Sequence, residues 1–286
     1  MSFPDPAGSP SLAAIAPGLV SLRVARRGRS AEVELLGPGR GNAMGPDFWR
    51  ELPLVFAAVD ADPDLGAVLL FGSGGTFSYG LDLPAMMPLF GPLLAGTATN
   101  AVARDGLRRT ITAMQDAVSS LERCRKPVVA AVDGWCIGGG IDVITAADVR
   151  VASTTARFSV REVKVAIVAD LGSLQRLPLL VGHGAARALA LTGEDFDAAR
   201  ALSLGLVTDM ADDVLARGRE VVDAILANPA LVVQGVKAVM ARQTSTQVRE
   251  GLEHVAVWNS AYLPSHDLGE AFAAFAERRG PGFTGA

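Results

Sequence analysis

The stretch Lys126–Arg176 reads KPVVAAVDGWCIGGGIDVITAADVRVASTTARFSVREVKVAIVADLGSLQR, and it decides how the rest of the chain is read. An apolar run, Val128–Val132, leads into Asp133-Gly134, then the glycine triplet Gly138–Gly140, then a helix-forming segment. A short, wholly apolar run bounded by turn residues predicts a buried parallel strand. Glycines at a strand-to-helix junction let a ligand approach backbone N–H groups, which at a helix start are unpaired and carry partial positive charge. Three carboxylates follow: Asp142 after the triplet, Glu162 among valines, and Asp170 between an apolar run and Leu171. Singly, they read as a helix-start charge, a solvated strand charge and an N-cap. Jointly, they set acids around a glycine-lined site, where burial and mutual repulsion would keep one or more protonated near neutral pH.

Outward from this stretch, the same alternation continues. Val20–Val24 and Ala31–Leu35 predict two strands joined by a glycine-containing turn. Asp47–Val59 has helical spacing, and Ala67–Phe71 predicts a second buried strand. A loop, Gly72–Gly80, follows it. Phe77–Leu81 within and just beyond that loop is a second source of N–H donors, so the two separate glycine loops read either as tight turns without a ligand or as the two halves of an oxyanion hole. Pro84–Thr99 reads as irregular, a candidate flap. Arg104–Arg123 predicts a long amphipathic helix. Ile141–Ala147 predicts a short helix and Val149–Ala152 a strand. Leu171–Leu177 predicts a helix with Asp170 as its cap. Ala185–Leu191 and Ala198–Leu204 predict helices, with a strand-like Val207 beyond. From Val214 only helices are expected: Val214–Ala227, Pro229–Arg242, Gln247–Tyr262 and Asp267–Arg278. The fold class is α/β with a mostly parallel sheet. The domain reading is a flexible arm over 1–18, an α/β core over 19–210 and a helical region over 211–286.

Composition limits the partners. The 286 residues are 50% hydrophobic, with mean hydropathy +0.32, so a large core is expected. Net charge −4 and pI 5.5 argue against a nucleic-acid surface. No apolar run reaches a membrane-span length, and no basic n-region precedes an apolar segment at the N-terminus. Cys124 and Cys136 are too few for a disulfide framework. The expectation is a cytoplasmic protein without membrane or nucleic-acid partners. His183, His254 and His266 are scattered without metal-ligand spacing, no Gly-x-Ser-x-Gly elbow is present, and the triplet matches neither a P-loop nor a dinucleotide fingerprint. No metal and no cofactor beyond the substrate's own is expected.

The stretch KPVVAAVDGWCIGGGIDVITAADVRVAS resembles the signature of the crotonase, or enoyl-CoA hydratase/isomerase, superfamily. GNAMGPDFWREL from Gly41, TFSYGLDL from Thr76, Gln175-Arg-Leu-Pro, and TGEDFDAARALSLGLV from Thr192 are also similar to it, in the right order. The resemblance covers about Val20 to Arg279. It implies a spiral of ββα units with a C-terminal helical region that builds trimers or hexamers. It also implies an acyl-CoA substrate and an enolate held by the N–H groups of Leu81 and Gly139. Ser78, Gly80, Asp82 and Gly138 flank those donors as substrate-binding positions. Asp142 and Glu162 fall where hydratases of the family carry two glutamates. Asp170 falls where hydratases have the glycine of a Pro-Gly step. That acid, with FWREL at Phe48 and VAVWNSAYLPSHDL at Val255, resembles the Δ3,5-Δ2,4-dienoyl-CoA isomerases. The resemblance then implies that Glu162 removes the C2 proton, that protonated Asp170 delivers one to C6, and that Asp142 holds the thioester end. A hydratase or another isomerase of the superfamily is the alternative, and a non-catalytic RNA-binding relative a more distant one. Two departures stand out. GPGRGNAM lacks the more basic run of relatives, leaving Arg40 as the candidate CoA contact. Ala166 replaces a glycine, which predicts a narrower acyl pocket.

Overall fold

The computed structural model describes residues 11–94 and 101–286. Residues 1–10 of the expected arm and 95–99 of the expected flap lie outside the described residues. Residues 11–18, read as part of the arm, are instead folded. Ser11 caps a single turn, α1 (Leu12–Ile15), and a 3-10 turn follows. Leu12 and Ile15 are the cause, because both pack against the core.

β1 (Leu22–Arg27) and β2 (Ser30–Leu35) form an antiparallel hairpin whose turn uses Gly28 at φ +58°. α2 (Pro46–Ala61) has Pro46 in its first turn, where the missing N–H costs nothing. β3 (Ala67–Gly72) pairs parallel with β2. α3 (Met87–Leu94) occupies a segment expected to be irregular. α4 (Ala101–Arg123) buries Leu107, Ile111, Met114, Val118 and Leu121, the apolar face of the expected amphipathic helix. β4 (Val128–Val132) then enters the sheet beside β3.

From there strands come in pairs. β4 is followed by β5 (Trp135–Ile137) and α5 (Gly139–Thr145). β6 (Val149–Ser153) is followed by β7 (Arg157–Ser159), a 3-10 turn (Glu162–Val165), α6 (Ser173–Val181) and α7 (His183–Thr192). The first strand of each pair joins the large sheet and the second joins a small one. β8 (Asp195–Asp197), α8 (Ala198–Leu204) and β9 (Asp209–Ala211) complete the two sheets. The large sheet runs β1-β2-β3-β4-β6-β9, parallel except for the first pair. The small sheet runs β5-β7-β8, fastened by Phe158 stacked on Phe196 at 5.5 Å.

β3 and β4 are apolar at every position because both faces are covered. Val68, Leu70, Val128, Ala130 and Val132 face the main core with α2 and α4. Ala67, Leu69, Val129 and Ala131 face α9 (Val214–Leu226) through Val214 and Val222. A Cβ on Gly218 of α9 would lie 2.7 Å from Leu69, so glycine there sets how closely the helix approaches. α9 therefore belongs to the packed core, although it falls within the helical region 211–286.

The two helices expected over Pro229–Arg242 and Gln247–Tyr262 are one, α10 (Ala230–Tyr262), of 33 residues. Lys237 anchors it: its ammonium donates to Leu121 O, Lys126 O and Asp148 Oδ2, the last at 2.7 Å. α11 (His266–Glu277) is capped by Ser265 and packs on the 3-10 turn that carries Glu162. No single helix among the described residues is long and apolar enough to cross a membrane.

Candidate active site

Two loops build the donor end. Gly138 (φ +52°, ψ −114°) turns the chain from β5 into α5, and its N–H donates to Ser159 O. Gly80 (φ +81°) lies against it. A Cβ on Gly80 would sit 2.7 Å from Ile137 O and 3.1 Å from Gly139 N, so only glycine allows the approach. Ser78 fixes the Gly80 loop from behind: its hydroxyl donates to Asn42 O and accepts from Gly80 N–H. Its main chain pairs with β5 at Trp135 and Ile137. Met44 N–H donates to Gly80 O and Asp82 N–H to Met44 O. These bonds leave the N–H groups of Leu81 and Gly139 without a protein acceptor among the described residues, and both residues line one cavity of about 910 Å³. Preorganised N–H donors of this kind suit a developing oxyanion.

The three acids also line that cavity. Glu162 sits on its 3-10 turn beside the triplet, its Oε1 3.3 Å from where a Cβ on Gly138 would lie. Its Oε2 is buried with no hydrogen-bond partner among the described residues. Burial, reinforced by the charges of Asp142 and Asp170, pushes its pKa up to about 8. Asp170 does not cap α6, whose N-cap is Gly172. Its Oδ2 instead accepts from Asn259 Nδ2 at 2.6 Å, a partner 89 residues away on α10. Burial holds Asp170 up at about 7, with the Asn259 bond opposing and Asp142 adding to the rise. Asp142, 1% exposed, accepts from Ser173 N–H at 2.5 Å. Burial raises it to about 6, against the pull of Ser173 and the nearby Arg176 guanidinium. Arg176 is itself buried, bonded to Glu122, Ser119 and Leu171 O.

Arg40, Gly80, Asp82 and Gly138 line the cavity as expected, whereas Ser78 is fully buried behind the wall and supports the loop. Ala166 lies outside the lining, between Val165 and Ile167, which do line it. Its φ of +57° explains why glycine suits this position. Trp49, Leu107, Ile111, Met114, Leu263 and Phe275 add apolar lining to the cavity. Sequence reasoning assigned no role to Asn42, whose amide holds the Gly80 loop through Ser73, Thr76 and Phe77 carbonyls. It also assigned none to Asn259, Gln115, or Arg161, whose guanidinium lies 5.5 Å over the Trp135 ring at the cavity wall. Only the quoted motifs containing Asn42 and Asn259 signalled two of them.

Comparison with known proteins bears on this arrangement. The enoyl-CoA hydratase/isomerase family model matches residues 28–286. The chain is 42% identical over 249 residues to the peroxisomal Delta(3,5)-Delta(2,4)-dienoyl-CoA isomerase of Arabidopsis thaliana, covering 86% of this chain and 89% of that one. It is 38% identical over 258 residues to the mitochondrial enzyme of that name from Homo sapiens, covering 86% and 76%. An enoyl-CoA hydratase/isomerase crystal structure from Pseudoalteromonas atlantica T6c superposes with a TM-score of 0.79 at 28% identity, over 93% of this chain and all of that one. The paired strands, the two apposed glycine loops and a match across almost the whole sequence agree: the chain belongs to the enoyl-CoA hydratase/isomerase family, with the crotonase fold.

Proposed function

We propose that the protein is a Δ3,5-Δ2,4-dienoyl-CoA isomerase. One observation carries the reading: Asp170, an acid beyond the pair formed by Asp142 and Glu162, faces the same cavity as Glu162 and is raised to about 7. Glu162 takes the proton from C2, and the C2–H electron pair becomes the enolate, its oxygen held by Leu81 and Gly139 N–H. The carbonyl then re-forms, the double bonds move to C2–C3 and C4–C5, and the former C5–C6 pair takes a proton from Asp170 at C6. C2 and C6 lie several bonds apart, so two acids serve where one would have to travel. Burial raises both acids toward neutral pH, Glu162 to about 8 and Asp170 to about 7. A proton shared by the pair therefore rests mainly on Glu162, and the reactive form, with Glu162 ionised and Asp170 protonated, is the minor tautomer of the singly protonated pair. Asp142, engaged by Ser173 N–H, orients the site and does not activate water. The test is direct: with a 3,5-dienoyl-CoA the absorbance of the conjugated 2,4-dienoyl thioester should grow, whereas dominant hydration of a 2-enoyl-CoA would favour the hydratase alternative.

The substrate's CoA is expected to meet Arg40 at the cavity edge. The assembly is proposed as a homotrimer, or a hexamer of two trimers, because α10 exposes Leu231, Val232, Val236, Val239 and Met240 along one stretch. Sedimentation as a monomer at micromolar concentration would contradict it. A cytoplasmic location is part of the same proposal, although the dienoyl-CoA isomerases above are named as peroxisomal and mitochondrial.

A further inference from the structure

Asp170 is held by two buried amide side chains from different helices. Gln115 of α4 donates to Asp170 O at 2.7 Å and to Leu252 O at 3.0 Å, tying the segment between α4 and α10. Asn259 of α10, 1% exposed, donates from a single nitrogen to Val168 O at 2.8 Å and to Asp170 Oδ2 at 2.6 Å. Asn259 is not part of the cavity lining. A backbone carbonyl can only accept, so Val168 O fixes which end of the amide is nitrogen. The second N–H of that nitrogen then points at Oδ2, which must accept.

We propose that Asn259 is the positioning residue of the proton relay: by occupying Oδ2 as an acceptor, it assigns the transferable proton of Asp170 to Oδ1. The meaning of that proton rests on the isomerase reading above. The same bond favours the charged form of Asp170 and so offsets part of the rise that burial imposes. The other groups facing Asp170 act in known senses. Asp142 on α5 raises its proton affinity, and Asp170 in turn raises that of Glu162 on the 3-10 turn. Arg176 on α6 pairs with Glu122 of α4, and its charge acts on Asp142, whose pKa it lowers. On α10, Glu253 and His254 are exposed, leaving Asn259 as the group that meets the carboxyl from that helix.

The first test uses the unmodified protein. The Asn259 side-chain NH2 resonance should titrate with the Asp170 carboxyl, followed by its protonated-acid infrared band, and should stop titrating in Asp170→Asn. Asn259→Ala should move the Asp170 midpoint up by about one pH unit, the effect of losing a donor to a charged group. It should also lower kcat about tenfold or more while KM stays within about twofold. Asn259→Ser, which keeps one donor, should fall between. An Asn259 resonance flat with pH, or an unmoved midpoint in a folded Asn259→Ala protein, overturns the inference. Inactivity of the unmodified protein on 3,5-dienoyl-CoA would defeat the isomerase reading and leave this titration unaffected, so the two failures are separable.

Discussion

Two glutamates with carboxylate oxygens shut away from solvent, fully buried Glu51 and half-buried Glu162, show what such shielding does and does not mean. Glu51 on α2 is completely buried, yet its carboxylate is saturated. It accepts from the N–H groups of Val20, Ser21 and Leu22 and from the Arg50 guanidinium, clasping the start of β1 to the helix. Glu162 is walled in among Gly138, Val165 and Ile167, has an orphaned oxygen, and faces two further acids across a cavity. A buried carboxylate with a full set of donors is a structural joint; one short of donors is a proton carrier. The difference lies in the partners and not in the residue.

The comparison can be broken most forcefully at Glu162. Glu162→Gln should lower kcat by about 10²- to 10⁴-fold, the usual worth of a positioned base, while leaving the fold intact. Next, Glu51→Ala should cost roughly 2–4 kcal/mol of stability, because several backbone donors lose their acceptor. Its kcat should stay near that of the unmodified protein at temperatures where it remains folded. Denaturant titration and initial rates on the two variants would check both. A reversal, with Glu162→Gln unstable or Glu51→Ala folded but inactive, would dissolve the distinction.

The smallest effect concerns pH. The site acids have folded values raised to about 6, 7 and 8 from ordinary values of 3.8 and 4.5. Raised acids favour the fold when protonated, so their contribution is present in full below about pH 4 and is lost as pH rises through 6–8. Glu162→Gln removes one of these charges. It should be more stable than the unmodified protein by about 1–3 kcal/mol at pH 9, and the advantage should vanish near pH 4. An advantage independent of pH would show that Glu162 does not carry the buried charge.

The sequence was most readable where local pattern and final environment coincide. Val128–Val132 is a strand with the predicted bounds, because its apolar run is what a strand covered on both faces needs. The glycine triplet and Gly80 were legible for a similar reason, since their conformations exclude side chains. Legibility failed where a distant group decides. Asp170 looked like a local cap, but its partner is Asn259, 89 residues on. Residues 243–246, Gln-Thr-Ser-Thr, read as a break, yet α10 runs through them, held by Lys237 before the stretch and by buried Val248 and Leu252 after it. The three-residue strands β5, β7 and β8 are too short to show alternation; they exist because they pair with one another.

The division of labour between Glu162 and Asp170 is tested most directly by running the reaction in D2O and locating the label by NMR. The unmodified protein should form the 2,4-dienoyl thioester with deuterium at C6. Asp170→Asn should still exchange the C2 protons of the 3,5-dienoyl-CoA while forming almost no 2,4-diene, and Glu162→Gln should do neither. Formation of the 2,4-diene by Asp170→Asn at the unmodified rate would contradict the account.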